Sequence, residues 1–202
     1  IAPMNDLIIF GTGGHAKAII DIVESTKQWK IKGLVSEKEN FGKLVLGYKI
    51  LGSDEHLKNL SLQINNVLIG IGQIGIDERR KKFIRKINKF RFNFPTIKSK
   101  FAIISKNAIL DEGTTIGHGA VINTCSQIGK HCIINSSSLI EHGVKIGDFC
   151  HISTGAIING DVTIGEGSFI GSGAIIREGL VLPPETVISA GKRIMGWPNR
   201  EN

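Results

Sequence analysis

The chain has 202 residues, a length that allows one or two domains. Hydrophobic residues make up 41% of it, but no apolar stretch approaches the roughly 18 residues of a membrane span, and three cysteines are too few for a disulfide framework. The net charge of +7 suits anionic small ligands, whereas no nucleic-acid-binding motif is present. We expect residues 1–3 to be foreign to a native chain that starts at Met4. Without a signal peptide, we expect a cytoplasmic protein that binds neither nucleic acid nor membrane.

The first predicted element is a strand at 6–10 that runs into a glycine-rich turn at 11–17 (Gly-Thr-Gly-Gly-His-Ala-Lys). An amphipathic helical pattern follows, with Ala18, Ile19, Ile22 and Val23 on one side. Strand, glycine-rich turn and helix open a nucleotide-binding βαβ unit, in which backbone N–H groups approach a phosphate at the helix N-terminus. The full dinucleotide spacing is absent, so a tight connection without a ligand is the alternative.

The remaining elements before residue 96 complete a small α/β domain with a parallel sheet, predicted to span residues 4–95. Strands are predicted at 31–35 and 67–71, and a helix is capped near Ser53. A basic helix at 77–90 has an apolar stripe of Phe83, Ile84, Ile87 and Phe90, which leaves its cations solvated.

From residue 104 to residue 188 every sixth position is Ile or Leu, which makes fifteen hexads. This period fits neither a helix nor an ordinary strand and is typical of a parallel β-helix. The fifth place of the hexads is mostly small, as the corners of a narrow prism require. Three hexads in each coil would give about five coils in a domain that spans residues 96–202. Cys132 and Cys150 share one place on adjacent coils and should pack inward as structural residues.

An aliphatic residue followed by Gly, two free positions and a small residue resembles the motif of the left-handed β-helix hexapeptide acyltransferases. The turn at 11–17 ahead of such a prism resembles the sugar O- and N-acyltransferases of sialic acid and bacillosamine-type pathways. The resemblance covers nearly the whole chain and implies an α/β N-terminal Rossmann-like domain followed by a left-handed parallel β-helix. It also implies that the first domain holds a nucleotide sugar, that the prism binds acetyl-CoA, and that a homotrimer places active sites between subunits.

The same resemblance assigns the chemistry to the stretch 135–142. His142 matches the general base, Asn135 matches a polar active-site residue, and His151 matches a histidine near the acetyl-CoA thioester. Family members commonly have Asp or Glu directly after the base, but this chain has Gly143. Glu141 precedes the base and is a candidate catalytic residue, although neighbours on an extended segment tend to point apart. Which group replaces the missing acid is open.

Further residues are matched to the two substrates. Four residues are matched to acetyl-CoA and would line a groove for its pantetheine arm: Gly160, Gly171, Ser172 and Ala190. A backbone N–H near Gly160 is the expected oxyanion donor. Those for the nucleotide sugar are Gly13, Gly14 and His15, with Ser36 and Glu37 where the family usually has two Asp. Gly196-Trp197-Pro198 is similar to the sequence that closes the last coil in the family.

The function that follows is acetyl-CoA-dependent N-acetylation of a nucleotide-linked amino sugar, of the UDP-4-amino-4,6-dideoxy type, by direct transfer in a ternary complex. The alternative is O-acetylation of a sialic acid or a related nonulosonic acid. A zinc enzyme of the γ-carbonic anhydrase kind is disfavoured, because His118 and His142 lie 24 positions apart and so fall on different faces of a prism with about 18 residues in each coil. We therefore expect no metal. A non-catalytic sugar-binding or assembly scaffold is the third class.

Overall fold

The computed structural model describes residues 4–76 and 78–197. The chain forms two compact units, one that runs to Gly72 and resumes up to Pro95, and one that comprises Gln73–Ile76 and the chain from Thr96 onward. Apart from Gln73–Ile76, this division follows the predicted domain boundary. The expected foreign start at 1–3 and the closing Pro198 lie outside the described residues.

The first unit contains a five-stranded sheet in the order β3-β4-β2-β1-β5. The strands are β1 (Asn5–Phe10), β2 (Trp29–Val35), β3 (Leu44–Val45), β4 (Tyr48–Gly52) and β5 (Asn66–Ile69). All neighbouring strands are parallel except β3 and β4. Leu7, Ile8 and Ile9 are all buried, as expected for a central parallel strand that is covered on both faces. The predicted strands at 6–10, 31–35 and 67–71 correspond to β1, β2 and β5.

The helices of this unit are α1 (Gly14–Thr26), α2 (Leu57–Gln63) and α3 (Glu78–Ile87), with short 3-10 helices at Lys38–Asn40 and Asp54–His56. The side chain of Ala18 is exposed, and Ala16 takes the buried place on α1. The predicted solvation of the cations on α3 is wrong for Arg80 and Lys81, which are only 1% and 6% exposed. Long aliphatic stems let such side chains fill apolar space, which a hydrophobic pattern does not register.

The second unit is a parallel β-helix built from two-residue strands. The strands, in chain order, are β6 (Ile97–Lys98), β7 (Ile103–Ile104), β8 (Ile109–Leu110), β9 (Thr115–Ile116), β10 (Val121–Ile122), β11 (Gln127–Ile128), β12 (Ile133–Ile134), β13 (Leu139–Ile140), β14 (Lys145–Ile146), β15 (His151–Ile152), β16 (Ile157–Ile158), β17 (Thr163–Ile164), β18 (Phe169–Ile170), β19 (Ile175–Ile176), β20 (Val181–Leu182), β21 (Val187–Ile188) and β22 (Arg193–Ile194). Each pairs with the third strand after it, so that Ile122, Ile140 and Ile158 stack at intervals of one coil.

Three parallel sheets therefore form the sides of a prism. The second residue of each strand points inward, and Ile134, Ile140 and Ile152 are fully buried. Cys132 and Cys150 are fully buried too, each with its Sγ 3.1 Å from a backbone carbonyl oxygen on the following coil. These thiols are structural, as predicted.

Two edges of the prism matter for the site. The His142 edge consists of residues 105–108, 123–126, 141–144, 159–162 and 177–180, which follow the strands of the sheet that contains β13. The Asn135 edge consists of residues 117–120, 135–138, 153–156, 171–174 and 189–192, which follow the strands of the sheet that contains β12. Because the chain passes from the β12 sheet to the β13 sheet, the β13 sheet lies between the two edges.

Candidate active site

The glycine-rich turn of the first unit is built by close backbone approach. Gly11 has a φ of +100°, and a β-carbon there would lie 2.9 Å from the carbonyl oxygen of Gly70. Gly13 then precedes α1 with an extended backbone, and no acidic residue occupies the first turn of the helix. The first N–H groups of a helix have no partner within it, so this turn offers donors to an anionic group.

The residues predicted for the nucleotide sugar meet at the carboxyl ends of β1 and β2. Gly13 and Gly14 are exposed, and His15 is half-buried. The hydroxyls of Thr12 and Ser36 are 3.3 Å apart and connect the turn to the end of β2. Glu37 is exposed and precedes the 3-10 helix at Lys38–Asn40. Their assignment to the substrate remains a prediction.

A cavity of about 300 Å³ opens beside this turn. Its lining consists of Thr12, Lys17, Asn40, Lys43, Leu44, Val45, Leu46 and Ile50. Lys43 Nζ donates to Asn40 Oδ1 at 2.9 Å. Cations beside aliphatic side chains suit a ligand that joins an anionic group to a flat ring. Sequence reasoning did not single out Asn40 or Lys43, because both are distant in sequence from the turn: Asn40 ends the 3-10 helix after β2, and Lys43 directly precedes β3.

On the second unit, His142 is exposed and its ring leans toward the following coil. A β-carbon at Gly160 would lie 2.6 Å from Cε1 and 2.7 Å from Nε2 of His142. The absence of a side chain at Gly160 therefore creates the space that the imidazole occupies. The backbone carbonyl of His142 accepts a hydrogen bond from Asp161 N–H at 2.9 Å. The imidazole lies outside the prism, where a substrate can reach it.

Glu141 points toward the preceding coil. Its Oε2 accepts a hydrogen bond from Asn123 Nδ2 at 3.0 Å. Asn123 lies one coil before Glu141, whereas the His142 ring packs on Gly160, one coil after it. The two neighbouring side chains thus diverge, in line with the expectation from an extended segment.

Asn135 and His151 form a hydrogen-bonded pair at the Asn135 edge. Asn135 Nδ2 is 3.3 Å from His151 Nε2, and His151 Nδ1 is 2.6 Å from the carbonyl oxygen of Gln73. A carbonyl can only accept, so Nδ1 carries the proton and Nε2 accepts from Asn135. His151 is 8% exposed and packs edge to face on Phe169. The pair orients Asn135, while contact of His151 with a thioester remains a prediction.

The residues predicted for acetyl-CoA divide between the two edges. Gly171, Ser172 and Ala190 lie on the Asn135 edge, and Gly160 lies on the His142 edge. A β-carbon at Gly171 would lie 2.5 Å from the backbone nitrogen of Ala190, and the hydroxyls of Ser172 and Ser153 are 2.9 Å apart. The structure therefore brings Asn135 together with three of the four residues predicted for acetyl-CoA, and His142 with Glu141 and the fourth, Gly160.

The alternative of a metal enzyme finds no cluster in the described part of the chain. No group of three or more His, Cys, Asp or Glu side chains within it could hold a metal ion. His118 lies on the Asn135 edge with Nδ1 2.6 Å from Ser99 Oγ, so it does not share an edge with His142. No helix among residues 4–76 and 78–197 is long and apolar enough to cross a membrane.

Both units of the chain match known protein families. Residues 6–87 match the PglD N-terminal domain, and residues 143–178 match the bacterial transferase hexapeptide repeats. The two matches follow each other along the chain, the first mainly in the first unit and the second in the second unit. The family resemblance predicted from the sequence is confirmed, and with it the α/β domain followed by a left-handed β-helix.

Several characterised proteins are similar to this chain. UDP-N-acetylbacillosamine N-acetyltransferase of Bacillus subtilis is 30% identical over 115 residues, which are 56% of this chain and 51% of that protein. The chain thus aligns with about half the length of its curated relative. Perosamine N-acetyltransferase from Caulobacter crescentus, in complex with CoA and GDP-perosamine, superposes with a TM-score of 0.87 at 27% identity. That match covers 96% of this chain and 90% of the other.

A third protein supports the fold. The acetyltransferase domain of PglB from Neisseria gonorrhoeae superposes with a TM-score of 0.85, covering 95% of this chain and 91% of that domain at 24% identity. A likeness at this level of identity establishes a common architecture. It carries no argument about the substrate.

Proposed function

We propose that this protein is an acetyl-CoA-dependent N-acetyltransferase that acts on a nucleotide-linked amino sugar, of the UDP-4-amino-4,6-dideoxy type. The observation that carries the proposal is the match over 96% of the chain to a perosamine N-acetyltransferase that holds CoA and GDP-perosamine. The accessible imidazole of His142 and the cation-bearing cavity beside the glycine-rich turn support it.

In the proposed reaction, the sugar amine attacks the thioester carbonyl of acetyl-CoA within a ternary complex. A carbon–nitrogen bond forms, the carbon–sulfur bond breaks, and CoA leaves as a thiolate that takes up a proton. His142 accepts the proton that the amine loses, because a neutral imidazole is a suitable base near neutral pH. Asn135 and Glu141 position groups around the reacting atoms, and a backbone N–H near Gly160 stabilises the oxyanion.

We also propose that the protein is a homotrimer with sites shared between subunits. The outward-facing residues of the β13 sheet are all aliphatic over five coils and are exposed or half-buried: Ile103, Val121, Leu139, Ile157 and Ile175. The corresponding residues of the β14 sheet include Gln127, Lys145 and Thr163, and those of the β12 sheet are mostly buried within the chain. An apolar face of this kind suits a second copy of the chain.

The position of this face explains why the site residues are divided. The β13 sheet lies between the Asn135 edge and the His142 edge. When three prisms pack with this sheet toward a common axis, the Asn135 edge of one protomer faces the His142 edge of its neighbour. Acetyl-CoA held along the first edge would then meet the base on the second.

The proposal is tested by incubating the protein with acetyl-CoA and a series of UDP- and GDP-linked amino sugars, with thiol release as the signal. We expect turnover with at least one of them, and we expect His142→Ala to lower kcat by about 10²–10⁴-fold because it removes the base. His118→Ala, which removes a histidine from the Asn135 edge, is the matched control. Turnover with free sialic acid and with none of the nucleotide sugars would contradict the substrate class.

A further inference from the structure

We infer that Asp161 is the acidic partner of His142 and takes the place that Gly143 leaves vacant. The inference rests on the proposed function, since it concerns how the proposed base is held and charged. It assigns the role of positioning residue to a side chain nineteen positions after His142 in sequence, on the following coil of the β-helix.

The first observation is the position of the Asp161 carboxylate. A β-carbon at Gly143 would lie 2.1 Å from Asp161 Oδ1 and 3.2 Å from Asp161 Cγ. The carboxylate therefore fills the space in which a side chain at position 143 would begin. A side chain at 143 and the observed conformation of Asp161 exclude each other, so the glycine and the aspartate form a matched pair.

The second observation is the way in which two coils interleave at this edge. The His142 ring packs on Gly160 of the following coil, and the Asp161 carboxylate packs on Gly143 of the preceding one. Asp161 N–H donates a 2.9 Å hydrogen bond to the His142 carbonyl oxygen. This bond fixes the two coils relative to each other at this point of the edge. Asp161 has a φ of 59°, a left-handed conformation that Asp adopts more readily than most residues.

The third observation concerns the interactions of the Asp161 carboxylate. Among the residues that the structure describes, no hydrogen bond or salt bridge engages the Asp161 side chain, which is exposed. Glu141, the acidic alternative, is held by Asn123 on the preceding coil. Asp161 is therefore the carboxylate on this edge that is left to support the imidazole when it accepts a proton.

The other charged groups along this edge, apart from Glu141, belong to other coils. Glu178 and Arg177 stack two coils after His142 and Glu141, and Lys106 stacks two coils before His142. Asp161 is the acidic residue of the His142 edge on the coil that the His142 ring contacts. It is therefore the carboxylate expected to support the proposed base.

The test compares Asp161→Asn with Glu178→Gln, which removes an equal charge from the same edge. Asn tolerates the left-handed conformation, so the fold should be retained. We expect Asp161→Asn to lower kcat about 10-fold, because the proposed base loses the carboxylate that supports it as a proton acceptor. The KM for acetyl-CoA and the kcat of Glu178→Gln should stay unchanged.

A relocation variant supplies a second measurement. The double variant Gly143→Asp with Asp161→Gly removes the steric conflict and returns the carboxylate to the position directly after His142. We expect it to recover most of the activity that Asp161→Gly alone loses. A wild-type kcat in Asp161→Asn, or an equal loss of kcat in Glu178→Gln, would overturn the inference. If the wild-type protein acetylates no nucleotide amino sugar, the proposed function fails instead, which is a distinct outcome.

Discussion

Gly160 and Gly143 determine where the His142 edge can hold its functional groups. Each lacks the side chain that would collide with a group from the adjacent coil, the imidazole of His142 at one and the carboxylate of Asp161 at the other. Gly160 needs no positive φ, so its role is to leave space. Gly143 has a φ of +69° and combines space with a left-handed turn.

The role of Gly160 leads to a prediction for Gly160→Ala. The added methyl would lie 2.6 Å from the imidazole, which must turn away because the backbone of the coil is held by its ladder. We expect kcat to fall about 100-fold, the size of effect that small misplacement of a catalytic group produces, with the circular dichroism spectrum retained. Gly196→Ala is the control, since a β-carbon there meets nothing within 4 Å. An active Gly160→Ala enzyme would contradict the position of His142.

At the scale of elements, the sequence predicted what repeats and missed what depends on packing between distant segments. The hexad period reports a local geometry that recurs every coil, so all three sheets and the inward aliphatic columns could be derived from it. Gln73, which holds His151, and Asn40 and Lys43, which line the cavity, are brought to their places by connections that have no periodicity. Asp161 was missed because its partner is one coil away, not adjacent in sequence.

The outward face of the β13 sheet leads to a prediction at the same scale. Leu139→Glu places a charge in the middle of an aliphatic column that is proposed to pack on two other subunits. We expect the trimer to dissociate and acetyl transfer to be lost while the β-sheet spectrum remains, because burial of an unpaired charge is costly. Analytical ultracentrifugation measures the mass of the assembly. Lys145→Glu on the β14 sheet is the control and should stay trimeric; a trimeric Leu139→Glu protein would contradict the proposed interface.

For the whole molecule, we propose that one active site draws on two subunits. Each prism carries Asn135 and three of the four residues predicted for acetyl-CoA on one edge and the proposed base on another, with an apolar sheet between them. Neither edge holds the complete set. A closed threefold assembly would complete three sites at once, which gives a physical reason for a small enzyme to be oligomeric.

The most direct measurement of this claim is subunit complementation. His142→Ala removes the base from one edge, and Ser172→Trp places a large side chain over the proposed acetyl-CoA groove on the other. Each variant alone is expected to be inactive. After both are dissociated, mixed in equal amounts and reassembled, about a quarter of the sites should combine two intact edges and regain acetyl transfer. No recovery in confirmed mixed trimers would contradict the shared site.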